Sequence, residues 1–123
     1  MIINIIKSSI IMLILDIIFI MLMLTTFKSM IFDIQGSNIS FKPIPAIICY
    51  VALIFGLNYF ILNTNKTNKE KIIDSILLGL VIYTVYETTN YTIIDKWRPL
   101  VAITDSVWGG ILFGLTTAIT LYT

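Results

Sequence analysis

The 123-residue chain has no histidine, one cysteine and few charged residues. The absence of histidine excludes imidazole catalysis, histidine metal ligands and histidine-based pH switches. A single cysteine, Cys49, excludes an internal disulfide and a cysteine-based zinc site. Soluble domains carry about 25% charged residues, whereas this chain carries 12% with a net charge of +1. No basic face exists to neutralise phosphates, so we expect no nucleic-acid partner.

What the chain has instead is hydrophobic residues, which make up 58% of it and form four long apolar segments. About 20 apolar residues span the hydrocarbon core of a bilayer. The sequence therefore predicts an all-α fold, a four-span transmembrane helical bundle with both termini on the same side and membrane lipid around it. Residues 1–123 form a single integral membrane domain, with helices predicted over residues 3–27, 44–62, 68–92 and 99–121.

The segments between the predicted helices carry the signals that set their boundaries. Residues 28–43 mix apolar and polar residues, which predicts a connector lying at the membrane surface and broken at Gly36. Thr67 and Glu70 fit a capping box at the start of the third helix. A cleaved signal peptide is the competing interpretation of the first segment, but Asp16 interrupts that segment and no small-residue cleavage site follows. The basic residues divide equally between the two sides, so they do not set the orientation.

Polar side chains are concentrated where the third and fourth helices approach their connecting turn. Glu87 precedes this turn and Asp105 follows it by a few residues, so both are expected at similar depth, facing each other. Asp16 lies near the middle of the first helix and is expected to join them, with Arg98 as the nearest counter-charge. The predicted intramembrane polar site comprises Asp16, Tyr83, Tyr86, Glu87, Asn90 and Asp105.

Acidic residues in a membrane span are costly, at about 2.5–3.5 kcal/mol each near the helix centre, and by default they indicate function. One interpretation is a site that binds or passes a small cation, a proton or a lipid head group. The alternative is a structural or assembly protein of a cellular or viral membrane, in which the acids hold helices together. An enzyme is the least favoured interpretation, because no nucleophile–base pair accompanies the acids. No catalytic residue, metal site or cofactor is predicted.

Two further sets of residues are predicted to position the helices. Trp97, Arg98 and Trp108 are expected to be anchors at the water–lipid boundary. Small residues let helices approach closely, and the predicted packing glycines are Gly56, Gly79, Gly109, Gly110 and Gly114. The small-residue faces also allow a homo-oligomer.

The ordered motifs of the chain resemble a family of predicted membrane proteins, the domain-of-unknown-function family numbered 2177. The matching residues are Leu15-Asp16, Tyr50, Gly56, Gly79, Tyr83, Tyr86-Glu87-Thr88-Thr89-Asn90, Trp97-Arg98-Pro99 and Asp105-Ser106-Val107-Trp108-Gly109. Glu87 replaces the family's usual aspartate, Phe19 replaces a tryptophan, and Arg98 separates a tryptophan and a proline that are normally adjacent. The resemblance implies a four-span membrane protein of bacteria and some large DNA viruses, with no established activity.

Overall fold

Four long helices account for most of the chain in a computed structural model that describes residues 1–123. They are α1 (Ile2–Gln35), α2 (Pro43–Leu57), α3 (Asn68–Ile93) and α4 (Pro99–Tyr122), and a π-helical turn over Asn58–Leu62 extends α2. All four, with α2 and its π-helical turn taken together, are long and apolar enough to cross a membrane. The prediction of an all-α protein with four membrane-spanning helices is confirmed.

The first helix is longer than predicted. Residues 28–35 continue α1 as far as Gln35, and Gly36 ends the helix in a left-handed conformation with φ 72°. The predicted surface connector over residues 28–43 is therefore wrong for its first half. Met30 explains the extension, because it is buried against Trp97 in a small hydrophobic cluster. At 1.5 Å per residue, the 34 residues of α1 measure about 51 Å, well beyond the roughly 30 Å of a bilayer core.

The start of α3 has the predicted cap. The Thr67 hydroxyl accepts a hydrogen bond from the Glu70 backbone N–H at 3.2 Å. In the same region the Lys66 ammonium forms an ion pair with Asp74 at 2.6 Å. The hydrogen bond to this carboxylate and the negative charge of the carboxylate raise the pKa of Lys66. Asp74 is thus an acid with its own surface partner, and it lies 13 residues before Glu87 on α3.

A buried asparagine marks the π-helical turn at the end of α2. Asn58 is 4% exposed, and its side-chain N–H groups donate to the Ser8 hydroxyl at 3.0 Å and the Ile54 carbonyl at 2.8 Å. The backbone carbonyl of Asn58 accepts a hydrogen bond from the Asn63 N–H, five residues further on, which is the π-helical pattern. The Ser8 bond fixes α2 against α1.

Pairwise contacts define how the helices run. Asp16 of α1 bonds Tyr50 of α2 and Trp108 of α4, and towards its carboxyl end α1 bonds Arg98, the residue before α4. These pairings make α1 antiparallel to both α2 and α4, and α4 is antiparallel to α3 across their short turn. α4 is the central helix, because 50% of its most apolar stretch is buried inside the chain, against 11–17% for the other three helices.

Glycines bring α3 and α4 into backbone contact at one crossing. A Cβ atom on Gly79 would overlap the carbonyl oxygen of Gly109 and lie 2.7 Å from its carbonyl carbon. A Cβ on Gly109 would overlap the ring of Tyr83. Only residues without a side chain allow this separation, so the two glycines set the distance between the helices.

Two more glycines of α4 lie closest to side chains of α3 rather than to its backbone. A Cβ on Gly110 would lie 2.7 Å from Leu80, and one on Gly114 would lie 2.6 Å from Ile76. Gly56 differs, since a Cβ there would meet nothing within 4 Å. Within this chain Gly56 is therefore not a packing residue, and the sequence prediction for it is wrong at the level of the single chain.

Candidate functional site

A cavity of about 440 Å³ lies among all four helices, between the main hydrophobic core and the small cluster around Met30. Eleven of its 14 lining residues are hydrophobic. The other three are Asp16, Glu87 and Asp105, and no lysine or arginine lines the cavity. Drug-sized ligands occupy pockets of roughly 300–1,000 Å³, so this space suits an organic group better than a single bare ion.

Asp16 reaches the cavity from α1, and both of its carboxylate oxygens already have donors from the protein. The Tyr50 hydroxyl donates to one oxygen, and the Trp108 indole N–H donates to the other at 2.9 Å. The indole also stacks on Phe19, with ring centroids 4.6 Å apart and planes 4° from parallel. Asp16 therefore joins α1, α2 and α4 through hydrogen bonds that satisfy its charge.

Glu87 lies on the buried face of α3 and is 2% exposed. Its carboxylate accepts a hydrogen bond from the Trp97 indole N–H at 2.8 Å. Trp97 is itself held by the turn between α3 and α4, where its backbone N–H donates to the Ile94 carbonyl at 3.1 Å, and by packing on Met30 and Val101. The long α1 thus supports the residue that orients Glu87.

Asp105 is the one acid of the cavity that receives no hydrogen bond from a donor of the protein. It is half-buried on α4 and lines the same cavity as Asp16 and Glu87. Two carboxyl groups that meet in such a cavity hydrogen-bond to each other only if one of them holds a proton. No indole, hydroxyl or amide N–H of the chain supplies Asp105 with a donor, in contrast to the other two acids.

The remaining predicted site residues lie near the acids without bonding them. Tyr83 lines the cavity and packs edge-on against Phe113, with ring centroids 6.4 Å apart. Tyr86 packs edge-on against Trp97 at the same centroid distance, and its side chain remains exposed. Asn90 lies beside Tyr86, one turn along α3. It does not bridge the two carboxyl groups.

Arg98 does not serve as the counter-charge for Glu87 and Asp105. Its guanidinium forms an ion pair with Asp33 at 2.9 Å and a hydrogen bond with Ser29 at 2.8 Å. The unexpected last turns of α1 supply both partners, so the sequence distance from Arg98 to Glu87 was misleading. The three acids of the cavity are left without a basic residue among them.

The two tryptophans have a role that the sequence did not suggest. They were predicted as interfacial anchors, yet Trp97 donates its indole N–H to Glu87 and Trp108 donates to Asp16. Tyr50 was missed as a donor to Asp16, although it is among the residues that resemble the family. The usable signal was chemical, since each tryptophan carries one N–H donor of the kind that an acid in an apolar setting needs.

No group of three or more acidic or cysteine side chains converges closely enough to form a preformed metal centre. The arrangement offers two other capabilities. Glu87 and Asp105 can share a proton, or they can accept hydrogen bonds from one cationic group placed in the cavity. The apolar walls would strengthen either interaction, because the local dielectric is low.

Comparison with known proteins supports the membrane assignment. The family described as a predicted membrane protein, DUF2177, matches residues 1–122, and the chain therefore belongs to this family. No curated protein matches the chain. No solved structure matches it either. The family match and the four apolar helices together show a multi-pass integral membrane protein.

Proposed function

We propose that this member of the DUF2177 family binds a small organic cation, an amphipathic amine, in the cavity beside Glu87 and Asp105. One observation carries the proposal, namely that Asp105 lines an apolar cavity together with a second carboxyl group, that of Glu87, and has no hydrogen-bond donor from the protein. An ammonium group has three N–H donors and no acceptor. It would supply the missing hydrogen bonds and neutralise the charge that the chain itself leaves uncompensated.

The cost of the acids supports a bound cation. A carboxylate in a membrane span costs about 2.5–3.5 kcal/mol near the helix centre, and such groups normally find partners. Asp16 has two donors and Glu87 has one, so the deficit is concentrated at Asp105. A single bound proton also relieves it, and therefore proton and amine compete for the same pair of carboxyl groups.

The packing beneath the cavity supports binding rather than passage. Met12, Leu57, Leu112 and Phe113 belong to one hydrophobic cluster, and each has 0% exposure. These side chains fill the bundle between the acids and the end that carries Asn58. An ion crossing the bundle would have to pass through this close-packed apolar cluster, and burying an unpaired charge there is strongly unfavourable.

The test is amine binding to the purified protein in detergent, read through tryptophan fluorescence and calorimetry. Hexylamine is the probe, with hexanol and hexanoate as controls for the alkyl chain. Asp105→Asn should weaken hexylamine binding roughly 10- to 150-fold, because a hydrogen bond to a charged group is worth about 1.5–3 kcal/mol. Asp74→Asn is the matched control, since that acid has Lys66 as its partner on the surface.

Acidification should also weaken hexylamine binding, because protonation of the pair removes the charge that attracts the amine. Equal binding of hexylamine and hexanol, or identical binding by the wild type and Asp105→Asn, would contradict the proposal.

A structural role in a membrane is the second candidate function, and Asp16 favours it. Both oxygens of this acid are used to join three helices, which leaves it no capacity for a ligand. If the role is structural throughout, Asp105→Asn should change neither the affinity for hexylamine nor the free energy of unfolding, while Asp16→Ala should destabilise the bundle.

A further inference from the structure

We infer that the occupant of the cavity is a single-chain lipid amine without a phosphate, which enters sideways from the bilayer between α2 and α3. The amine end rests on the function proposed above. The lipid tail and the lateral route rest on a different set of observations, which concern the seam between these two helices.

The seam between α2 and α3 is open where it borders the cavity. α2 packs chiefly on α1, and it is the π-helical turn beyond α2 that packs on α3. Cys49 and Leu53 line the cavity from α2, while Ile82 and Tyr86 line it from α3. Cys49 is nevertheless exposed, and Tyr86 is 57% exposed. Residues that line a cavity and also reach the outer surface mark its mouth.

The other three pairs of neighbouring helices around the cavity are joined by direct contacts. Trp108 bonds Asp16 and stacks on Phe19, which seals α1 against α4. The Tyr50–Asp16 hydrogen bond seals α1 against α2. The backbone contact at Gly79 closes α3 against α4. The seam between α2 and α3 has no equivalent bond, so the cavity opens there.

The surroundings of the mouth identify hydrocarbon as the source of the ligand. No charged residue occurs from Pro43 to Leu62, and none occurs between Asp74 and Glu87. Ile48, Val51 and Val85, which flank the mouth, are 64%, 61% and 61% exposed. Such a surface faces lipid in a membrane protein. A ligand arriving through this mouth must itself be soluble in the bilayer.

Charge complementarity sets the class of lipid. The cavity contains three acids and no basic residue. A phosphate drawn in behind an amine would be left unpaired near carboxylates, and buried unpaired charge is strongly unfavourable. An amine attached directly to an alkyl chain avoids this. Its head would lie at Glu87 and Asp105, and its chain would leave through the seam beside Cys49.

The test exploits the single native cysteine. In an Ile82→Cys variant, a short bifunctional maleimide would bridge Cys49 to the new thiol across the seam. The matched control is the same variant with both thiols capped by N-methylmaleimide. Oleylamine, phosphatidylethanolamine and hexylamine are then added to each protein in detergent micelles, and binding is read by native mass spectrometry and tryptophan fluorescence.

Wild type should bind oleylamine in preference to phosphatidylethanolamine, and Asp105→Asn should lose this binding. The capped protein carries comparable groups at the mouth without the bridge, and it is the reference for the bridged protein. Bridged protein should lose oleylamine while still binding hexylamine. Oleylamine binding by the bridged protein equal to that of the capped control would overturn the lateral route, and an equal or stronger affinity for phosphatidylethanolamine would overturn the lipid class. Hexylamine binding without oleylamine binding defeats this inference alone, whereas absence of both defeats the proposed function.

Discussion

Adding one methyl group at Gly79, where α3 and α4 cross, should destabilise the protein more than adding one at Gly114 or Gly56. In Gly79→Ala the new Cβ would overlap the Gly109 carbonyl oxygen and would lie 2.7 Å from its carbon. Ordinary van der Waals contact begins near 3.4 Å, so the two backbones must separate by at least about 0.7 Å. Neither backbone can rotate away from the contact as a side chain can.

The magnitude follows from two opposing terms. Overpacking a close-packed interface costs about 1–3 kcal/mol, and rigid neighbours place Gly79→Ala at the upper end. Alanine is a better helix former than glycine by about 0.8–1.0 kcal/mol, which offsets part of this cost. We therefore expect a net destabilisation of about 1–2 kcal/mol. The displacement should also disturb the adjacent contact between Gly109 and Tyr83, whose ring lines the cavity.

Two other glycines provide graded controls. In Gly114→Ala the neighbour is the Ile76 side chain, whose Cγ1 would lie at 2.6 Å. This β-branched side chain can move aside only in part, but alanine gains helix propensity. The net cost should therefore be smaller than for Gly79→Ala, where the contact is with backbone. In Gly56→Ala nothing lies within 4 Å, so the variant should equal or slightly exceed the wild type in stability.

The assay is reversible unfolding in mixed micelles by titration with a denaturing detergent, monitored by tryptophan fluorescence. The expected order of stability is Gly56→Ala first, Gly114→Ala second and Gly79→Ala last. If Gly79→Ala is as stable as Gly56→Ala, then the close approach of α3 to α4 is not what holds these helices, and the packing argument is refuted.

Three further predictions concern the acids and the topology. Trp97→Phe should lower the free energy of unfolding by about 1–3 kcal/mol, because Glu87 loses its buried donor; unchanged stability in the same assay would mean that another donor replaces it. Asp16→Asn should cost less than Asp16→Ala, since the amide oxygen still accepts one hydrogen bond; equal losses would point to charge rather than hydrogen bonding. Single cysteines at Asn65 and Thr123, in a background without the native thiol, should react with an impermeant maleimide from the same side of the membrane, and labelling from opposite sides would contradict the predicted topology.

The sequence was sufficient for the helices because apolar length and capping are local properties. The predicted limits of α3 and α4 differ from the observed Asn68–Ile93 and Pro99–Tyr122 by one residue at the carboxyl ends. The last turns of α1 were missed for a physical reason. Residues 28–35 mix apolar and polar side chains with a pattern that suits both a surface segment and a helix, and the contact of Met30 with Trp97 decides between them.

The donors to the acids could not be identified from local sequence. Asp16 and Trp108 are 92 positions apart, and only the packing of α1 on α4 brings them together. Tryptophan commonly lies at membrane interfaces, and this tendency favoured an anchoring role for Trp108 over a hydrogen bond to Asp16. The opposite error was made for Arg98. It lies close to Glu87 in the sequence, which suggested an ion pair between them, but its partner is Asp33 in the last turns of α1.

Counting hydrogen-bond donors separates acids that composition alone treats as equivalent. Asp16 has two donors from the protein, Glu87 has one and Asp105 has none. An acid whose bonds are complete stabilises the fold, and one whose bonds are incomplete can still gain from a ligand. Replacing all three acids together would therefore mix a folding defect with a binding defect. Asp105 is the position where neutral substitution should remove binding while the helices stay in place.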